Sequence, residues 1–254
     1  MADFVVAIPS YRRYEILRDK TLSLLRRHHI NPSSIDVFVA DEAEGEAYLA
    51  TLLPGTYGRL IVAIEGMGAV RNFITAYYPV GARVLNLDDD LDDRLSSTSS
   101  STSSRLSPLE DLNAFVLSAF AESDRLGLRL WGVYPVANGY FMRGVGVTTS
   151  LRYIVGAFWG ITNPGLDGLR VTLDDKEDFE RTILMYLADG GVMRYRHVTV
   201  STRYYRNVGG MSVARTRERV AESARLLHQA FPELTTLRHK RSGLDIHLRD
   251  TRGD

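Results

Sequence analysis

Asn86-Leu87-Asp88-Asp89-Asp90 closes the apolar run Ala82-Arg83-Val84-Leu85 and puts three carboxylates where a buried strand would meet solvent. Three adjacent acids repel one another unless a cation sits among them. Alternate carboxylates at a strand exit aim at one divalent ion, and hard oxygen ligands favour Mg or Mn, which also hold a diphosphate. The motif therefore points to a nucleotide-dependent enzyme. An acidic turn running on into Asp92 and Asp93 explains the same residues without any ligand, so the surrounding segments have to decide.

Working outward, strand-like runs at 4–8, 35–40, 59–64 and 82–87 alternate with helix-like runs near 14–29, 43–52 and 68–78. Such alternation predicts a mainly parallel sheet. In open α/β sheets ligands collect at the carboxyl ends of strands, which would gather Pro9, Asp41 and Asp90 at one crevice. Further along, Ser96 to Ser104 is a Ser/Thr tract that buries too little apolar area to offset its ordering entropy, and the stretch 96–107 is expected to be a flexible loop. Ser107-Pro108-Leu109-Glu110 has the form of a capping box with Pro at the first helical position, so a helix is expected from there to about Arg125. Leu109, Leu112, Phe115, Val116, Ala119 and Phe120 fall at core spacing on it. The segments 139–144 and 151–160 read as strands with close turns, an α+β portion. Trp131, Tyr134, Tyr140 and Trp159 there suit either stacking on a base or sugar, or a plain core. From Ser212 to about Phe231 a charged helix is expected to pack on the core. The expected organisation is one catalytic domain over 1–210, with a basic helix and tail over 211–254 packed against it.

Composition narrows the classes. A chain of 254 residues with 44% hydrophobic content has enough apolar surface for one sizeable core. The absence of cysteine removes disulfides, thiolate zinc sites and a cysteine nucleophile together, and fits a reducing cytoplasm. The start Met1-Ala2-Asp3-Phe4 lacks a basic region before an apolar core, and no apolar run approaches about 18 residues, so neither a signal peptide nor a membrane span is expected. The formal net charge of zero hides an asymmetry: from Gly191 onward there are 13 Lys or Arg against 6 Asp or Glu. A polyanion such as DNA would be attracted to this end, although a solvated basic surface needs no partner. Within it Arg194, Arg196, Arg203, Tyr204, Tyr205 and Arg206 interleave basic and aromatic residues, a pattern that holds phosphates while stacking an exposed base, or that forms an amphipathic hairpin.

Three elements in order carry a family resemblance: Phe4-Val5-Val6-Ala7-Ile8-Pro9-Ser10-Tyr11-Arg12, then Glu65-Gly66-Met67-Gly68-Ala69-Val70-Arg71-Asn72, then Leu87-Asp88-Asp89-Asp90. Over roughly residues 4–210 the chain resembles the GT-A nucleotide-sugar glycosyltransferases. Together with Lys176-Glu177-Asp178-Phe179-Glu180-Arg181-Thr182, these motifs are most similar to the TET-associated glycosyltransferases, largely from bacteriophages, which glycosylate hydroxymethylated pyrimidines in DNA. The resemblance implies a single GT-A-like α/β domain with a Rossmann-like sheet and an α+β acceptor side. It implies a nucleotide-sugar donor, UDP-linked, and a Mn or Mg cation. The acceptor would be DNA containing 5-hydroxymethylcytosine or 5-hydroxymethyluracil, in the cytoplasm of a host cell if phage-encoded.

The resemblance also distributes roles. Pro9, Ser10 and Tyr11 would line the base pocket, Asp41 would contact base or ribose, and Gly68 belongs to the small-residue helix start near the diphosphate. Arg71 and Arg12 would meet phosphate oxygens. Asp90 would be the first metal ligand and Asp88 a ribose or metal-water contact, with Asp89 between them and His197 completing the shell. Asp178 would be the general base that takes the acceptor proton, with Glu177 as the other candidate. Capping of a helix start accounts for most acids of the 174–180 cluster without catalysis. Trp159, Arg194, Arg203, Tyr205 and Arg206 would face the acceptor. Two other readings remain open at this point. A nucleotidyltransferase uses similar acids but usually carries a glycine-rich basic loop where Pro9-Ser10-Tyr11 stands, and a non-enzymatic DNA-binding module would have no need of Asp88 and Asp90.

Overall fold

Short apolar runs separated by helix-length segments build a layered structure in which both faces of a sheet are covered. The computed structural model describes residues 3–97, 105–142, 144–167, 169–202, 216–240 and 243–250. Strands β1 (Val5–Pro9), β2 (Ile35–Val39), β3 (Arg59–Val62) and β4 (Arg83–Leu87) form a parallel half in the order β3-β2-β1-β4. The sheet continues through β9 (Phe158–Thr162), β7 (Leu130–Tyr134), β10 (Met193–Thr202), β5 (Leu91–Ser97) and β6 (Ser107–Pro108), with β8 (Val147–Thr148) paired to β10. Only β9 intervenes in reverse between β4 and β7, so β7 and β10 point the same way as β1 to β4. The expected mainly parallel sheet with a mixed second half is the architecture observed.

Alternation across the strands splits the interior in two. Val6 and Ile8 face a core shared with α1 (Tyr14–Leu17), α2 (Ser23–Arg27), α3 (Glu42–Thr51) and α5 (Leu112–Leu126). Ala7 faces a second core with α4 (Met67–Tyr77) and α6 (Glu177–Asp189). Burial on both faces is why β1 and β2 read as largely apolar runs, broken only by Asp36 of β2, which is buried and paired with Arg59 at 2.6 Å. The C-terminal elements, α7 (Arg217–Ala230) and the hairpin β11 (Thr235–Lys240) with β12 (Gly243–Leu248), pack Ala224, Leu227 and Ile246 around Ile183 of α6.

Several local expectations are corrected. The two ends of the expected 96–107 loop are in strands: Ser96 pairs with Pro108 and Ser97 with Ser107, while 98–104 lies outside the described residues. Because Pro108 is held extended in that ladder, helix α5 starts later, at Leu112, where the Asp111 side chain accepts the Ala114 N–H at 2.9 Å. None of the described residues of 139–144 lies in a strand; the edge is the short β8, and within 151–160 only Phe158 onward is extended in the sheet. Within the expected C-terminal tail, the described residues form the hairpin β11–β12.

One irregularity positions the acidic motif. Between α1 and α2 the helix takes a π turn over Arg18–Leu22, and the buried Thr21 projects from it. Its hydroxyl donates to the Asp88 carbonyl at 2.8 Å and accepts the Leu91 N–H at 3.1 Å, clamping the turn between β4 and β5. Among the described residues no helix is long and apolar enough to cross a membrane.

Candidate active site

At the carboxyl ends of β1, β2 and β4 lies a cleft of about 590 Å³. Pro9, Ser10, Tyr11, Arg71, Asp88, Asp89, Asp90, Glu177 and Asp178 all line it. The crevice rule for open α/β sheets thus brings these nine residues together, although Pro9 and Asp178 are 169 positions apart in sequence.

The three acids of the motif have three different environments. Asp89 is buried, accepts the Ser10 hydroxyl at 2.6 Å, and lies 3.2 Å from the Arg13 guanidinium. Burial pushes its pKa up to about 7, with Arg13 and Ser10 opposing the rise. Ser10 is itself held by Tyr48 of α3 at 2.6 Å, so the middle acid is fastened to the sheet. Asp90 shares Arg13 at 3.4 Å. Asp88 keeps 31% of its side chain accessible and accepts from Arg71 at 3.0 Å. Burial raises its pKa, Arg71 opposes, and the charges of Asp90 and Asp178 add to the rise.

Adjacent arginines after β1 diverge. Arg12 has φ +53°, a left-handed conformation that is costly for a side chain with a Cβ, and its guanidinium is 70% exposed beside Glu44. Arg13, which the sequence reading passed over, is therefore the one that turns in toward Asp89 and Asp90. Arg71 is buried, and its hydrogen bonds go to Asp88, the Gly156 carbonyl at 3.2 Å and Asn86 at 3.5 Å. Asp41 caps α3 by accepting the Glu44 N–H at 2.8 Å, and it does not line the cleft. Gly68 serves packing: a Cβ there would lie 2.6 Å from the Leu173 carbonyl oxygen, and its N–H donates to Asp174 at 2.9 Å.

The second acidic cluster divides by contact. Asp174 caps α4, and Glu180 receives the amides of Thr172 and Leu173. Glu177 lies 2.6 Å from Arg181 and 3.8 Å from Arg71, so it is the counter-ion of two buried guanidiniums. Desolvation works against the charge on Glu177 and on Arg181, and their contact opposes it. Asp178 instead faces the cleft, where Tyr153 donates its hydroxyl to one oxygen and the Phe179 N–H reaches the other at 3.0 Å. The cleft lining carries seven carboxylates (Glu65, Asp88, Asp89, Asp90, Asp174, Glu177, Asp178) against Arg13, Arg71, Lys176 and Arg219.

Other expected site residues lie elsewhere. Trp159 is 4% exposed, with the Arg181 guanidinium 3.7 Å from its ring centroid, so it is core and not a stacking surface. Trp131 is fully buried too. His197 has Nδ1 at the Gly146 backbone, its pKa lowered by burial, and it does not line the cleft. Arg194 lies over the Tyr134 ring and donates to the Tyr153 carbonyl at 3.4 Å. Arg203, Tyr205 and Arg206 fall outside the described residues.

Among the described residues no group of three or more His, Asp or Glu side chains is gathered as a metal shell. The donor set still suits a hard divalent cation of the kind that keeps waters and borrows phosphate oxygens: Asp88 and Asp90 offer two carboxylates at an acid-rich cleft.

No family model and no curated protein matches the chain. Solved structures do. Residues 1–349 of S. aureus TarS in complex with UDP-GlcNAc superpose with a TM-score of 0.53 at 16% identity, covering 89% of this chain and 65% of that one. TarS 1–349 alone gives 0.51 at 15%, covering 90% and 72%, and a mycobacterial protein gives 0.51 at 11%, covering 97% and 83%. The chain thus spans just under two thirds of the UDP-GlcNAc-bound TarS chain. At these identities the likeness is one of fold, and the fold is GT-A-like.

Proposed function

We propose that this protein is a nucleotide-sugar glycosyltransferase that moves a sugar from a UDP-linked donor to a hydroxyl. The observation that carries the reading is the pairing, in one cleft at the carboxyl ends of the strands, of the Asp88–Asp90 floor with the oriented carboxylate of Asp178. The UDP-GlcNAc complex of TarS, built on the same fold, supports a UDP-linked donor.

The residues divide the work. Pro9, Ser10 and Tyr11 with Phe38 and Val39 offer a partly apolar wall for a base. Asp88 and Asp90 would hold Mn or Mg, which when bound offsets charge on the leaving diphosphate. Arg13 lies against Asp90 and Arg71 against Asp88, which holds both carboxylates in place. Asp178 takes the proton from the acceptor hydroxyl, and Glu177 holds Arg71. As acceptor we propose the hydroxymethyl group of 5-hydroxymethylcytosine or 5-hydroxymethyluracil in DNA, which the basic balance of the C-terminal quarter favours.

The test is to incubate the protein with Mn and a panel of nucleotide sugars, offering hydroxymethylated and plain DNA, and to weigh the released nucleosides by mass spectrometry. A hexose- or pentose-sized gain confined to hydroxymethylated DNA and lost with EDTA is expected. Transfer to a glycan or protein with none to DNA overturns the acceptor, and failure to turn over any nucleotide sugar overturns the enzyme.

A further inference from the structure

The segment after β7 leaves the sheet at the same edge as the ends of β1 and β4, because β7 points the same way as those strands. It is a built turn. Asn138 accepts the Tyr140 N–H through its side chain at 3.0 Å and the Phe141 N–H through its carbonyl at 3.0 Å, and Met142 anchors the turn in the interior. Between these fixings two large rings are displayed outward: Tyr140 is 60% exposed and Phe141 56%, edge to face with centroids 5.2 Å apart. Exposed aromatic pairs on a fixed backbone sacrifice hydrophobic burial, and they bind ring-shaped partners with little ordering cost.

A cation lies against the same segment, three residues further on. Arg196 on β10 is exposed and makes no ion pair among the described residues. Its guanidinium lies against the backbone of Gly144, where φ is +86° and an added Cβ would come within 3.1 Å of the guanidinium carbon. Gly144 is three residues from Phe141, a span of at most about 11 Å. The same region is tied to the proposed base: Arg194 stacks on Tyr134, the last residue of β7, and donates to the carbonyl of Tyr153, whose hydroxyl donates to Asp178.

We propose that Tyr140, Phe141 and Arg196 form an acceptor platform for an unpaired nucleotide, the rings stacking on a base and the guanidinium meeting its phosphate. This rests on the glycosyltransferase reading with a DNA acceptor and adds a requirement to it, that the strand is engaged with bases exposed. A neutral sugar acceptor would use the rings and leave Arg196 idle; a duplex would use Arg196 and leave the rings without a face to stack on.

The experiment uses the full chain and fluorescence anisotropy with a short labelled single-stranded DNA, the same sequence as a duplex, and UDP binding by calorimetry as a separate arm. Tyr140→Ala/Phe141→Ala is expected to weaken single-strand binding about tenfold or more with its salt dependence unchanged. Arg196→Gln is expected to weaken it and to flatten the salt dependence by about one phosphate contact. UDP affinity should stay at the wild-type value in both. Wild-type-like single-strand binding in the two variants, or a wild-type preference for the duplex, overturns the platform. Absence of UDP binding by the wild type strikes the glycosyltransferase reading instead, and leaves the oligonucleotide arms to judge the platform by themselves.

Discussion

Tyr153 donates its hydroxyl to Oδ2 of Asp178, so a carboxylate that lines the cleft is oriented before any substrate arrives. The Tyr153 ring is stacked on Phe179 with centroids 4.2 Å apart, and the Phe179 N–H holds Oδ1. Asp178→Asn should therefore lower kcat by about two to four orders of magnitude while UDP affinity is retained. Tyr153→Phe should cost on the order of tenfold to a hundredfold in kcat with the donor KM little changed, since the base is present but less well directed. Steady-state kinetics with UDP calorimetry checks both, and near-normal turnover of Asp178→Asn would remove it from the chemistry.

Arg12 and Arg13 should behave oppositely under the same substitution. Arg13→Met leaves Asp89 and Asp90 in place without the guanidinium that both approach, and is expected to destabilise the fold by about 3 kcal/mol. Arg12→Met removes an exposed group with a 4.0 Å contact and should stay within about 0.5 kcal/mol of wild type. Urea unfolding of the pair measures the difference; equal effects would mean that the inward role of Arg13 is wrong.

Gly68→Ala tests the seat of α4. Its Cβ would meet the backbone carbonyl of Leu173 at 2.6 Å, and backbone cannot swing aside as a flexible side chain does. A loss of about 1–3 kcal/mol is expected from overpacking, with weaker UDP binding because Gly66, Met67 and Asp174 line the cleft. Thermal melting and calorimetry on one preparation read both.

Asp245 should make stability fall in acid. Burial by itself raises its pKa, but hydrogen bonds from Lys176 at 2.7 Å and Lys240 at 2.6 Å outweigh this and hold the carboxyl well below the usual range. A depressed folded pKa contributes stability that is complete above the unfolded value of about 3.9 and is lost as pH falls through the folded value. Asp245→Asn should thus be less stable than wild type at pH 7, and the gap should narrow steadily below about pH 4. Urea unfolding across that range checks it, and a gap independent of pH would refute the ion-pair account.

The parallel half of the sheet was legible in the sequence because burial on both faces makes its strands predominantly apolar, with Asp36 and Asn86 as buried polar exceptions, and helix-length segments separate them. The second half was not. β8 and β6 are two residues each, too short to leave a pattern, and β5 mixes two leucines with two aspartates, an arginine and two serines, so its extended form is decided by pairing with β10. Pro108 has the letters of a helix start, yet its partner is Ser96.

Residue type and spacing alone put Pro9, Ser10, Asp88, Asp89, Asp90 and the 174–180 acids at strand exits and a helix start, since those positions follow from local periodicity. Which acids face the cleft was decided only in three dimensions. Asp89 is taken by Ser10 and Arg13, Glu177 by Arg71 and Arg181, and Asp178 is left toward the cleft, because each outcome depends on partners 76 or more positions away or on a buried cation beneath the helix. A single left-handed φ at Arg12 determines which of two adjacent arginines turns inward. Backbone conformation of that kind is set by the packing around it, and one-dimensional sequence carries no sign of it.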